Sequence, residues 1–212
     1  MPGRLRSSTS RACNRMRVQT LVMVCLLAPR LLSEVVGQVD LSAWRKGPPV
    51  EVQPGDLVFR RDNGVWSWFF IQASRRERRF SHVGIVVEGG ASPFIVHADA
   101  SELTGVGCVR RQRWSEFFAE SLDGAVYRYE GTRQIRGRIA AEALRRMGVP
   151  FDTGFDMTST NKLYCSELVR ESVNGATGME TIGCTRVAAL KSMIAVDDCY
   201  SMNMVKVAEC RK

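Results

Sequence analysis

The sequence predicts an α+β protein in which an antiparallel sheet packs against helices. Short apolar runs bounded by glycine, proline or polar turn residues fall at 57–59, 80–88, 91–98, 106–111 and 125–129. The second and third flank Gly89-Gly90, a pair that tolerates the positive φ angles of a hairpin turn. Residues 133–147 and the run from Cys165 to Asn174-Gly175 instead repeat apolar residues at helical spacing.

Residues 1–37 differ in kind from the rest of the chain. Arg4, Arg6, Arg11, Arg15 and Arg17 form a basic segment without an acid. Residues 20–28 (TLVMVCLLA) then give an apolar stretch of signal-peptide length, too short to span a bilayer. The segment reads as a signal peptide or an N-terminal anchor, which implies a secreted, periplasmic or otherwise exported protein. Val35 and Gly37 suit a cut before Gln38, although Pro29 and Arg30 interrupt the region. A lipoprotein cut before Cys25 fits less well, because Val24 stands where Gly, Ala or Ser is wanted. Residues 38–212 form one domain, long enough for a sizeable core. Six arginines against Glu34 give the leader a net +5 of the chain's +8, leaving +3 for the domain. Nucleic acid is therefore not an expected partner.

Along the domain, residues 41–54 read as a polar, proline-containing lead-in, and Gly55-Asp56 turns into the strand at 57–59. Residues 65–73 (VWSWFFIQA) are aromatic and helical, followed at once by Arg75-Arg76-Glu77-Arg78-Arg79. An aromatic stripe is by default core and a charge run a solvated face. Side by side, just before His82, they also fit the border of a cleft or a peripheral contact with a lipid surface. A two-residue turn at Gly89-Gly90 sets His82 opposite His97, with Cβ atoms about 4.5–5.5 Å apart. Pro93 offers the alternative of a turn over 89–93 and a shifted register. The imidazoles are neighbours either way. Ser115 is a candidate cap for a short helix through Phe118. In the helix at 133–147, Ile135, Ile139, Ala143, Leu144 and Met147 make one stripe that Gly148 and Pro150 stop. Cys165, Leu168, Val169, Ser172 and Val173 make another, with Thr158, Ser159, Thr160 and Asn161 as candidate caps, so that Cys165 lies in an early turn.

Taken singly, a histidine on an apolar strand is a satisfied core residue and a lone cysteine a small inert hydrophobe. Taken together, the chain's two histidines and Cys165 make a thiol nucleophile, an imidazole base and a polar orienter, the constellation of a cysteine hydrolase. An ordinary thiol ionises near pH 8.5, so the expectation is a thiolate stabilised by the helix N-terminus and by an imidazolium at His82. His97 would orient the His82 ring, and the Cys165 backbone N–H is a candidate oxyanion donor. Beyond the leader stand Cys108, Cys165, Cys184, Cys199 and Cys210. An odd number in an exported protein implies a free thiol at Cys165 and a disulfide among Cys184, Cys199 and Cys210; five reduced cysteines are the alternative. No Cys-x-x-Cys pair or histidine-rich cluster offers a zinc site, and no cofactor or metal is expected.

Pro54-Gly55-Asp56-Leu57-Val58-Phe59, Ser81-His82-Val83-Gly84-Ile85-Val86, Val96-His97-Ala98, Pro150-Phe151-Asp152 and Tyr164-Cys165-Ser166-Glu167-Leu168-Val169 occur in that order. Together they resemble the motifs of the YiiX/YebB-like branch of the NlpC-type cysteine peptidases, over roughly residues 50–175. The resemblance implies a circularly permuted papain-like fold, histidine preceding cysteine in the chain, with Cys165 as nucleophile and His82 as base. It departs at His97, where that branch carries a carboxylate or an amide; lecithin:retinol acyltransferase-like relatives use a second histidine there. This leaves three readings: an amidase or peptidase working through a thioester, a lipid esterase or acyltransferase, and a catalytically silent secreted binding module. The substrate is expected to be a peptide, a peptidoglycan fragment or an acyl lipid.

Overall fold

Side chains that alternate across six antiparallel strands divide the interior into two layers. The computed structural model describes residues 40–155, 157, 159, 161–186, 192–200 and 203–210. All belong to one compact unit, Gln38–Lys212; the signal or anchor reading of 1–37 lies outside the described residues. In chain order the elements are α1 (Leu41–Lys46), β1 (Leu57–Arg61), α2 (Val65–Ala73), β2 (His82–Glu88), β3 (Phe94–Ala100), β4 (Gly107–Arg113), α3 (Trp114–Phe117) and β5 (Asp123–Tyr129). After these come α4 (Arg133–Arg145), α5 (Cys165–Thr177), β6 (Thr185–Arg186), β7 (Ser192–Met193) and β8 (Met204–Cys210). The main sheet runs β4-β3-β2-β1-β5-β8, with β6 and β7 pairing separately. Among the described residues no helix is long and apolar enough to cross a membrane.

One layer joins Leu57, Phe59, Val83, Ile85, Val96 and Ala98 of the sheet to Ile139 and Ala143 of α4 and Leu168, Val169 and Val173 of α5. The other joins Val58, Val86, Ile95 and Val126 to Trp44 of α1 and to Trp114, Phe117 and Phe118. The strand expectations hold with shifted ends. The lead-in at 41–54 is a correction, since it contains α1. There the Asp40 carboxylate accepts the Ser42 amide at 3.3 Å, and a single turn buries Trp44 completely. A Cβ on Gly124 would stand 2.8 Å from Trp44 Nε1, so the indole needs glycine beneath it.

The β2–β3 connection takes the longer turn, 89–93, with Ile85 opposite Val96 and Val86 opposite Ile95. Gly84 rather than His82 therefore meets His97. A Cβ on Gly84 would lie 2.5 Å from Ile95 Cγ2 and 3.2 Å from His97 Cβ. α3 starts at Trp114 rather than after Ser115, and Glu116 caps it by accepting the Arg113 amide at 3.1 Å. α4 is capped by Thr132, and its buried stripe is Ile139, Ala140 and Ala143; Leu144 and Met147 face outward. α5 is N-capped at Tyr164, not at 158–161, and runs past Asn174-Gly175 to a left-handed Gly178. Asn174 stays helical because its side-chain carbonyl accepts the Thr181 and Ile182 amides at 2.9 and 3.1 Å.

The expected tail disulfide is not formed: Cys108, Cys165, Cys184, Cys199 and Cys210 are all free. Cys199 is buried beneath α5, Cys210 lies in the other layer and Cys184 is exposed. The tail is held by the β8–β5 ladder and by Arg79. That guanidinium forks onto Asp123 at 2.7 and 2.9 Å, and reaches Glu209 at 2.6 Å and the Cys210 carbonyl at 2.9 Å.

Candidate active site

His82 opens β2 and His97 sits in β3, their side chains on the layer of Phe117. His82 Nε2 and His97 Nδ1 are 2.9 Å apart, with the rings nearly perpendicular. Phe117 packs against both rings, at 5.6 and 5.1 Å between centroids, and the Arg60 guanidinium lies over the Phe117 ring, 4.5 Å from its centroid. The tautomer that donates His82 Nε2–H to His97 Nδ1 leaves the His82 Nδ1 lone pair free to take a proton. His97 then carries its proton on Nε2, which is buried without a regular hydrogen bond. The Gln112 amide beside it favours that proton.

Cys165 is the first residue of α5 and belongs to the opposite layer. The amides of Val83 and Ser166 hydrogen-bond its sulfur. Its neighbours fix the helix start. The Tyr164 hydroxyl accepts the Ile194 amide at 2.7 Å, and Ser166 Oγ donates to the Ile194 carbonyl at 2.8 Å. Glu167 reaches back to accept the Tyr164 amide, the acidic half of a capping box, while its Oε2 is buried without a partner. Burial, with the Asp152 carboxylate adding to it, pushes the Glu167 carboxyl up to about 8.

The two layers meet at a cavity of about 540 Å³ at the end of the strands, lined by both Cys165 and His82. Among the described residues no hydrogen bond joins thiol to imidazole, as is common before a substrate tightens such contacts. Burial pushes the Cys165 thiol up to about 11. Burial, then the nearby Arg60 charge, holds both imidazoles below their ordinary range. Burial thus favours a neutral thiol and neutral histidines, the opposite direction to the expected thiolate–imidazolium pair. Desolvation of both groups outweighs the helix N-terminus.

Sequence reasoning did not single out Arg60, Asp99, Gln112 or Phe117. Asp99 was within reach of it, since two residues beyond His97 on a strand is the same face. His82, His97 and Asp99 bring donor atoms within 4.8 Å of one another, a grouping that metals use. Two nitrogens on one zinc, with bonds of about 2.0–2.1 Å, stand roughly 3.3 Å apart. Here they are 2.9 Å apart and bonded to each other, and Arg110 holds Asp99. The arrangement does not fit a metal without breaking both contacts.

Residues 51–209 match the family described as permuted papain-like amidase enzyme, YaeF/YiiX, C92 family. The match spans most of the chain, and the protein belongs to that family. Its function is of the cysteine hydrolase and amidase kind, and its fold is the permuted papain-like one. Among solved structures it resembles the crystal structure of the metalloprotein yiiX from Escherichia coli O157:H7. The TM-score is 0.62 at 20% identity, over 74% of this chain and 97% of that one. No curated protein matches.

Proposed function

We propose that this protein hydrolyses an amide or peptide bond through a thioester on Cys165, with His82 as general base and His97 as orienter. The observation that carries the reading is the 2.9 Å His82–His97 bond, with His82 and Cys165 lining the same cavity. In the proposed cycle the Cys165 proton passes to His82 Nδ1 as the sulfur attacks the substrate carbonyl. His97 Nδ1 accepts from His82 Nε2–H and stabilises the imidazolium. The Cys165 backbone N–H, at a helix start where the Tyr164 side chain makes no capping bond, faces the developing oxyanion. His82 returns the proton to the leaving amine. It then deprotonates the water that splits the thioester into acid and free thiol.

The same proposal takes the chain as exported, on the sequence of residues 1–37 alone. A second reading, a lipid esterase or acyltransferase, draws on the histidine in the orienting position. Intact mass spectrometry with N-acyl amino acids, peptides, peptidoglycan fragments and phospholipids distinguishes the two. The proposal expects an acyl adduct on Cys165 from an amide substrate, absent in Cys165→Ala. Adducts from lipid esters alone favour the second reading, and unchanged turnover by Cys165→Ala overturns both.

A further inference from the structure

The connections at the catalytic end of the sheet carry an unusual surface. α2 follows β1 there, and the loop 101–106 joins β3 to β4. Leu103, Val106, Val65 and Trp68, at 97, 76, 75 and 65% exposure, are the four most exposed large apolar side chains among the described residues. All four stand on these two connections. Glu102 ties the connections into one wall by accepting the Val65 and Trp66 amides, each at 3.3 Å, and Gly64, Trp66 and Glu102 also line the active-site cavity. The apolar rim is therefore continuous with the cavity mouth.

Charge accompanies the rim. Arg75, Arg76 and Arg78 follow the end of α2 and are exposed, as is Glu77 among them, and the three arginines make no ion pair among the described residues. The Asp197 carboxylate accepts the Arg76 amide at 2.6 Å, which anchors this stretch to the turn Val196–Asp198. Most acids of this end are engaged within the wall: Asp62 with Arg60, Asp99 with Arg110, Glu102 with the α2 amides and Glu116 with the Arg113 amide. A projecting rim of tryptophan and aliphatic tips beside unpaired arginines matches the boundary between anionic headgroups and acyl chains.

We propose that this rim docks the protein on an anionic lipid bilayer. Val65, Trp68, Leu103 and Val106 enter the headgroup–acyl boundary, Arg75, Arg76 and Arg78 meet lipid phosphates, and the cavity mouth faces the membrane. Docking is independent of the hydrolytic step, so Cys165→Ala docks as the wild type does.

The test uses the full chain with vesicles of phosphatidylcholine and phosphatidylglycerol (3:1) carrying brominated acyl chains, which quench only tryptophans at the membrane. Trp44 and Trp114 are buried and Trp66 is partly buried, so Trp68 is the strongly exposed indole. The expected result is quenching in the wild type that largely disappears in Trp68→Phe. Replacing Arg75, Arg76 and Arg78 together by Gln should lower partitioning roughly 100-fold, at roughly tenfold or less for each charge near an anionic surface. Vesicle binding without Trp68 quenching would assign the contact to another part of the chain and overturn the proposal. So would equal partitioning of the triple variant, or equal binding to phosphatidylcholine alone.

Discussion

The two layers on the sheet handle polar groups differently. In the α4/α5 layer the helices present aliphatic faces, Ile139 and Ala143 of α4 and Leu168, Val169 and Val173 of α5, to strands that add Phe59, Tyr127 and Tyr129, and the Cys165 thiol is placed by backbone contacts at a helix start. The α1/α3 layer is aromatic, built on Trp44, Trp114, Phe117 and Phe118, and His82, His97 and Asp99 lie along the same face of the sheet. One layer fixes where the sulfur stands. The other holds the His82 imidazole below its ordinary range, by desolvation and by the charges of Arg60 and Arg110.

Substitutions separate the two contributions. The largest effect is expected for Cys165→Ala, which should abolish turnover, and for His82→Ala, which should lower kcat/KM by about 10²–10⁴-fold, both without loss of folding cooperativity. Amide-hydrolysis assays beside thermal melts check this. Trp44→Ala, in the aromatic layer, should instead cost about 3–5 kcal/mol of stability, read as a lower denaturant midpoint. A neutral result there would mean that α1 does not support the base. His97→Gln keeps a hydrogen-bonding group, so a loss of roughly 10–100-fold is expected, smaller than for the base itself. A variant as inactive as His82→Ala would make the second imidazole indispensable.

The smallest effect concerns Glu167, at the start of α5 beside Cys165. Its carboxyl is raised to about 8 in the fold, against an ordinary value near 4.3 when unfolded. The protonated form is favoured on folding, and that stability is complete below about pH 4.3 and lost as pH rises through 8. Glu167→Gln should therefore match the wild type near pH 4 and exceed it at pH 9 by about 1 kcal/mol, or a few °C in Tm. Equal pH dependence of the two melts would contradict the buried, protonated carboxyl.

The layer that carries Cys165 was the more legible in the sequence. α4 and α5 announce themselves by 3.6-residue periodicity, and β1 to β5 by short apolar runs between turn residues. The helix ends were less legible: tertiary use of the Asn174 side chain carries α5 past a normal stop signal, and Glu167 caps it in place of residues 158–161. α1 is six residues with one buried side chain, too short to show a period. β8 lies in a tail with few strong periodic apolar runs, and pairing with β5 and the Arg79 clamp define it. Within the candidate site, the nearness of the two histidines was readable and the effect of burial on their charge was not. Cys165, His82 and His97 stand out by chemistry and order. Their neutrality depends on burial and on Arg60, which only the folded packing supplies.

The central claim is that the layers hold thiol and imidazole as neutral partners, so that the proton moves when a substrate occupies the cavity. The rate of Cys165 alkylation by iodoacetamide, followed by peptide mapping across pH 5–11 in wild type and His82→Ala, tests it most directly. With the thiol raised to about 11, the rate should climb about tenfold per pH unit toward the top of that range and change little on loss of His82. A plateau already reached by pH 6–7 that collapses in His82→Ala would show a resting thiolate–imidazolium pair and contradict the account.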